Sequence, residues 1–483
     1  MAVTVLQGHA LDALATLPAR QFHVAVTSPP YYQLRRYGTP PQVWVNPDGT
    51  PLCAGEHEWA DAGKSATRLR NGRGSDLPGM QTKKTLEVHV LNPAMGAFCA
   101  ACGAWRGELG WEPDLGLYLA HLLSVFAGVH RVLRDDGTLW VNLGDCYWNN
   151  PGGQNGGTKN TLDYGAGRIS AKAMEANRQV GRVQRTHKHP TLKPKNLSLV
   201  PWRFCIAMQD AGWYVRSIVA WAKSSAMPEP VQDRPTSAWE PIFLFAKRAR
   251  YYYDAEAVRV RWSDERNGAS GARSLPYSIG SGRNDTLSDG VRPGLGVPPQ
   301  TSGANLRNFW LLGPEPLTDE HYAAYPSEIV RRAVRASTSE RGCCPTCGAP
   351  WRRMVERDAG RWTPAAGDAR VQATGGAITG GTARCTLGAT DEVARRTTGW
   401  EPTCAHNAEP IPARVLDPFG GSGTTGLVAD QLGRDATLIE LNGEYAQMAQ
   451  RRVTRDAPLF ADVRVETVAQ PLALPLDVLE AAG

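Results

Sequence analysis

The chain of 483 residues has no stretch approaching roughly 18 uninterrupted apolar residues, which argues against a membrane span. Its opening, MAVTVLQGHALDAL, lacks the charged start and apolar core of an export signal, so a cytoplasmic protein is expected. Neither an internal repeat nor a long low-complexity tract is present, which sets solenoid and fibrous architectures aside. Charge of one sign is also scarce. The 53 Lys and Arg against 47 Asp and Glu leave +6, too small a surplus for this length to argue by itself for a nucleic-acid partner. The surplus is local instead: from Lys159 to Lys195 basic residues recur against only Asp163 and Glu175, a segment suited to phosphate contacts or to plain solvation.

What is present is an α/β rhythm. VTVLQG reads as a strand, Leu11 to Leu17 as a short helix and HVAVTS as a second strand. Leu115, Leu119, Leu122, Phe126, Val129 and Leu133 recur at helical spacing, and Gly137 then opens the strand GTLWVNLGD. A helix near PWRFCIAMQDAGW leads to two strand-like runs, YVRSIVAWAK and PIFLFAKRARYYY. Farther on, RVLDPFGGSGTTGLVADQLG and ATLIELN make strand, glycine-rich turn, helix and strand, a βαβ unit. One mostly parallel sheet would unite these pieces. Four aperiodic stretches interrupt it: Asn46 to Gly110, Asn149 to Lys195, Trp262 to Asn308 and Cys343 to Pro410. They read as insertions, because structureless loops of that length are uncommon inside a compact domain.

In LDPFGGSGTTG, Gly420, Gly421 and Gly423 permit a tight turn and close approach of a ligand, while Thr424 and Thr425 can open the following helix. No Gly-Lys-Ser/Thr follows, and Asp417 before the turn would repel phosphate, so a triphosphate cradle is not expected. Glu440 ends the next strand, where a carboxylate commonly accepts hydrogen bonds from two ribose hydroxyls. The pattern suits an adenosine-containing ligand without a phosphate chain; a purely structural βα turn is the plainer alternative.

TSPPYY, Thr27 to Tyr32, ends an apolar run with a hydroxyl, two rigid residues and two rings. Alone it reads equally as a Pro-Pro loop closing an edge strand. Together, TSPPYY and DPFGGSGTTG resemble the amino-methylating DNA methyltransferases that use S-adenosylmethionine, in the permuted, β-group order of that family. Other blocks that look like the family are LYLAHLLSVFAGVHRVLRDDGTLWVNLGDCY, VPWRFCIAMQDAGWYVRSIVAWAK, RPTSAWEPIFLFAKRARYYYDAEAV, HYAAYPSEIV and ATLIELNGEYAQMAQRRV, which cover roughly half the chain.

The resemblance implies a Rossmann-like, mostly parallel seven-stranded methyltransferase sheet in circularly permuted order, with S-adenosylmethionine as cofactor and double-stranded DNA as partner. A cognate restriction endonuclease would be a further partner. Carried over by position, Asp417, Pro418, Phe419, Gly421, Gly423, Thr424 and Thr425 would line the cofactor's methionine and adenine portions. Glu440 would hold the ribose, and the HYAAYP segment would close the pocket. Where the family often has an acidic residue after the glycine of the LQGHALDAL block, this chain has His9, with Asp12 the nearby substitute.

The same resemblance assigns the chemistry to Ser28, Pro29, Pro30 and Tyr31. An exocyclic amino group on a base is a poor nucleophile, because its lone pair is delocalised into the ring. Acceptors for its two N–H groups, here Ser28 Oγ and the Pro29 carbonyl, would favour a pyramidal nitrogen facing the methyl donor. Pro29 and Pro30 would hold the acceptors rigid, and Tyr31 would stack on the flipped base. The loop carries no cysteine, in contrast to methylation at a ring carbon. In this family SPPY is more usual for cytosine N4 and DPPY for adenine N6, so Ser28 favours cytosine. Adenine N6 is the nearest alternative, and an inactive zinc-stabilised DNA-binding protein is one of another class. A related NPPY pattern occurs in enzymes that methylate glutamine amides.

Ten cysteines in a chain read as cytoplasmic point to metal ligands or buried thiols rather than disulfides. Cys344, Cys347, Cys404 and His406 form one set with structural-zinc spacing; Cys53, His57, Cys99 and Cys102 form another. Cys343 or Cys385 could replace a ligand, whereas Cys146 and Cys205 look like core residues. The expected division is catalytic core 1–46, first zinc insertion 47–110, core 111–255 with the basic insertion 149–195, target recognition 256–310 and cofactor-closing segment 311–342. A second zinc insertion at 343–410, cofactor-binding core at 411–456 and a tail at 457–483 complete it.

Overall fold

The computed structural model describes residues 1–34, 36–59, 96–148, 191–226, 228–261, 303–313, 315, 325–357, 395–458 and 462–468. Strand β1 (Ala2–Gln7) leads through helix α1 (Ala10–Thr16) to β2 (Phe22–Thr27). Helix α2 (Leu115–Val132) runs directly into β3 (Leu133–Asn142), and α3 (Val200–Asp210) precedes β4 (Tyr214–Lys223) and β5 (Trp239–Ala246). After β6 (Phe309–Leu312) and α4 (Ser327–Ser337) come β7 (Arg414–Asp417), α5 (Thr424–Gln431) and β8 (Asp435–Glu440). Helix α6 (Gly443–Asp456) and β9 (Asp462–Thr467) follow.

Among the described residues these nine strands form one sheet, ordered β6-β4-β5-β3-β2-β7-β8-β1-β9, in which only β5 runs against the rest. All of β2 is buried, as a central parallel strand covered on both faces requires. Its side chains alternate between two cores: Ala25 packs with Leu14, Phe126 and Phe204 under α1, α2 and α3, while Val24 and Val26 pack with Val330, Val428 and Val453 under α4, α5 and α6. Helix α2 is long and apolar enough, by length and composition, to cross a membrane. Here Tyr118, Leu122, Val125, Phe126 and Val129 are fully buried, so its apolar surface serves the core. Asp114 caps it by accepting from the Gly116 and Leu117 amides.

The sheet has two strands beyond the expected seven. Strand β9 arises in the segment read as a tail, and β6 overlaps the end of the expected recognition region; both are short edge strands. In DVRVET only Val463 and Val465 pack inward, so the periodic signal is too brief to separate strand from loop. The run PIFLFAKRARYYY also stops being a strand at Ala246. Most of the recognition region 256–310, most of the basic insertion 149–195, residues 321–324 of HYAAYP, and Cys385 lie outside the described residues.

Neighbouring strands β2 and β7 send the chain in opposite directions, β7 on to β8 and β2 on to β3. Such a switch point opens a crevice beyond the carboxyl ends of parallel strands.

Candidate active site and two Cys/His tetrads

The crevice holds a cleft of ≈ 960 Å³, its open mouth included. Its floor is the turn after β7. Gly421 and Gly423 adopt φ of +52° and +80°, and a Cβ on Gly423 would stand 2.6 Å from that of Ala449 in α6, so glycine alone fits there. Arg452 of α6 donates to the Ser422 carbonyl at 2.9 Å and to Ser422 Oγ at 2.8 Å, fixing the turn from behind. Glu440 accepts from the Gly421 amide at 2.7 Å and the Asn442 amide at 2.8 Å, and it borders the cleft. Burial raises its pKa to about 7 against the pull of those amides.

The residues expected to hold the cofactor divide into two groups. Pro418, Phe419, Gly421, Thr424 and Glu440 line the cleft, whereas Asp417, Gly423 and Thr425 do not. Asp417 lies beneath the floor, buried, with one oxygen accepting from Thr27 Oγ1 at 2.7 Å and the Phe419 amide at 3.0 Å. Its other oxygen accepts from Thr425 Oγ1 at 2.6 Å and the Tyr325 hydroxyl at 3.2 Å. The carboxylate thus ties the end of β2 to the end of β7, and burial still raises its pKa despite these donors. Tyr325, from the HYAAYP segment, also lines the cleft. His9 lines it too, buried, with Nε2 lacking a hydrogen-bond partner among the described residues and a pKa lowered to about 4 by burial and by His121. Asp12 does not border the cleft, and burial raises its pKa.

Ser28 and Pro30 line the same cleft, whereas Pro29 is buried and is not among its lining residues. The Pro30 carbonyl accepts from the Tyr118 hydroxyl at 2.7 Å, which anchors the loop to α2. Tyr31 is not among the residues that line the cleft, and its ring lies so close to Gly144 that a Cβ there would meet it at 2.3 Å. Its hydroxyl sits 2.8 Å from both Asn142 Oδ1 and Glu240 Oε2, with a single proton to share between them. Ser28 Oγ approaches Asn142 Oδ1 at 3.4 Å, and Lys223 neutralises Glu240 at 2.5 Å. Sequence reasoning missed this Lys223–Glu240–Asn142–Tyr31 relay. Its only signal was a charged or amide residue at the end of an otherwise apolar strand.

Two Cys/His tetrads are also assembled, each with four ligand atoms within 4.8 Å of one another: Cys53, His57, Cys99 and Cys102, and Cys344, Cys347, Cys404 and His406. Both are the sets expected from spacing. Cys343 is buried beside the second set, with Sγ against the Pro412 carbonyl at 3.6 Å, and Cys146 and Cys205 pack on the core.

A DNA methylase family profile of the N6/N4 type matches residues 22–344 and 413–451. The type II methyltransferase M.SmaI of Serratia marcescens is 29% identical over 352 residues, 72% of this chain and 78% of that protein. M.Cfr9I of Citrobacter freundii, also a type II methyltransferase, is 26% identical over 450 residues, 93% of this chain and 87% of that one. Among solved structures, the PvuII DNA methyltransferase (cytosine-N4-specific) aligns with 93% of this chain and 87% of its own, at 13% identity and a TM-score of 0.41. The profile takes in both β2 with its SPPY loop and β7 with its glycine turn, and the chain belongs to the N6/N4 DNA methylase family.

Proposed function

We propose that the protein transfers a methyl group from S-adenosylmethionine to the exocyclic N4 amino group of cytosine in duplex DNA, at a defined sequence and after base flipping. The observation that carries this reading is a shared cleft: Ser28 and Pro30 of the SPPY loop line the same space as Phe419, Gly421 and Glu440. Glu440 would accept from ribose hydroxyls, and the Phe419 ring would offer a face for an adenine. The cofactor supplies an electrophilic methyl on a positively charged sulfur. Ser28 Oγ and the Pro29 carbonyl would take the two amino N–H groups, turning the lone pair toward that methyl. As the new N–C bond forms, the sulfonium charge is lost and one amino proton leaves, so alignment matters more than a strong base. The interleaving of N-terminal β1 and β2 with C-terminal β7 and β8 supports the permuted order.

We assign target recognition to residues 256–310 with help from the basic segment 149–195, and structural zinc to both tetrads. The names of the related type II enzymes support a role beside a cognate restriction endonuclease. Adenine N6 remains the second reading, since the same loop geometry serves either amino group, and Ser28 favours cytosine. Incubating the protein with duplex DNA and labelled S-adenosylmethionine, then separating nucleosides, tests this. Labelled N4-methylcytosine is expected; N6-methyladenine would replace the substrate assignment, and no labelled base would leave an inactive DNA-binding protein.

A further inference from the structure

The first tetrad has the geometry of an ion's coordination shell. A tetrahedral zinc ion, with Zn–S near 2.3 Å and Zn–N near 2.0–2.1 Å, sets its ligand atoms about 3.8 Å apart for two sulfurs and about 3.5 Å apart for sulfur and nitrogen. Cys53 Sγ and Cys99 Sγ are 3.7 Å apart, and Cys102 Sγ and His57 Nδ1 are 3.4 Å apart. The sulfur pair is far outside the roughly 2.05 Å of a disulfide. Cys99 to Gly103 form a tight turn, with the Gly103 amide donating to the Cys99 carbonyl at 2.9 Å and Gly103 at φ +77°. The three strands around it, Gln42–Val43, Ala97–Phe98 and Trp105–Gly107, are only two or three residues long. So small a module has no separate core among the described residues: Trp44 and Trp105 pack instead into the main core and on His121 of α2, and the Cys/His turn beyond them lacks such support.

This module is one wall of the cleft. Trp44 donates its backbone amide to the Trp105 carbonyl at 2.9 Å and its indole N–H to the Gly107 carbonyl at 3.2 Å, while Asn46 donates to the Cys102 carbonyl at 3.0 Å. Gln42, Trp44, Glu108 and Leu109 border the cleft, and Trp44 meets His9 edge-on at 4.6 Å. The strand's exit reaches the catalytic loop, where the Gly110 carbonyl accepts from the Gln33 amide at 2.6 Å. The second tetrad sits elsewhere. Arg134 donates to the Cys347 carbonyl at 2.6 Å, and His23 lies 2.9 Å from the Gly348 carbonyl. His23 Nδ1 accepts from the Arg414 amide, so its proton is on Nε2 and is donated to Gly348. Arg134, His23 and Arg414 mark the amino ends of β3, β2 and β7, a strand's length from the cleft.

We propose that zinc in the Cys53–His57–Cys99–Cys102 tetrad is a pocket-forming ion whose occupancy sets cofactor affinity, whereas zinc in the second tetrad supports stability alone. This rests on reading the cleft as the cofactor pocket. Elemental analysis of the dialysed full chain should find two zinc ions, and calorimetry with S-adenosylhomocysteine gives the affinity without turnover. H57A is expected to lose one zinc and raise Kd at least tenfold; H57C, which restores a fourth ligand, should regain the ion and come within twofold of the parent. C347S should lose one zinc and melt earlier with Kd within twofold. Should H57A not fold, chelation of C347S, whose remaining ion fills the first tetrad, must weaken binding, and added zinc must restore it. Absence of zinc from the first tetrad, unchanged Kd when that zinc is lost, or equal weakening in C347S would overturn the proposal. A two-zinc parent that binds no cofactor would overturn the functional reading and the pocket claim with it, an outcome distinct from normal binding left intact in H57A.

Discussion

Ser28 and Glu440 line one cleft, and each can be tested alone. Among the described residues Ser28 Oγ has only long contacts, 3.5 Å to the Tyr31 hydroxyl and 3.4 Å to Asn142 Oδ1, which leaves it able to turn toward a substrate amino group. S28A should therefore lower kcat on the order of 100-fold while cofactor Kd stays within about twofold. Equal losses in both, from methylation assays and calorimetry, would contradict that role. Glu440 titrates near pH 7 because it is buried, above its ordinary 4.5. The stability its protonated form lends to the ligand-free fold is complete below pH 4.5 and is lost as pH rises through about 7. Cofactor binding has the opposite sign, since ribose hydroxyls donate best to the ionised carboxylate. Cofactor affinity should thus rise between about pH 6 and 8 and flatten above, and in E440Q it should be weak and pH-independent. A flat profile in the parent would remove the ribose role.

Among the elements, α5 and α6 approach each other over Gly423. The glycine combines a left-handed φ of +80° with a 2.6 Å approach to Ala449, so G423A adds both backbone strain and overpacking. Urea unfolding should show a loss of about 2–3 kcal/mol, and A449G in the same chain should not recover it, because the Ala449 Cα also stands 2.8 Å from the added methyl and glycine inside a helix costs roughly 1 kcal/mol. Unchanged stability in G423A would mean that the helices separate there without cost. The strand ends matter similarly at Gly144, where a methyl group would collide with the Tyr31 ring and displace the loop that carries Ser28. Glycines of this kind are visible in the sequence, but their partners Ala449 and Tyr31 are not, because they lie 26 and 113 residues away along the chain.

As a whole molecule, the chain carries a net charge of +6 and belongs to a DNA-modifying family, so its affinity for duplex DNA should depend on salt. Filter binding or anisotropy between 50 and 200 mM salt should show a tenfold or greater fall, on the order expected when a few phosphates are neutralised. A salt-independent Kd would place recognition outside phosphate contacts. The alternation of apolar residues determined β1, β2, α2, α3, β4 and the β7–α5–β8 unit, since local periodicity records which face of an element is buried. Spacing alone also picked out both Cys/His tetrads, because short chelating turns are local. Edge strands β6 and β9, the buried setting of Asp417, the tethering of the Tyr31 hydroxyl to Asn142 and Glu240 and the Lys223–Glu240 pair were decided only by tertiary structure. These depend on contacts between residues far apart in sequence, and such contacts leave no period to read. Which Cys/His tetrad borders the cleft was decided the same way: Gln42, Trp44, Glu108 and Leu109 beside the first set line it, while the second set is held by His23 and Arg134 at the strands' amino ends, and neither placement can be read from spacing.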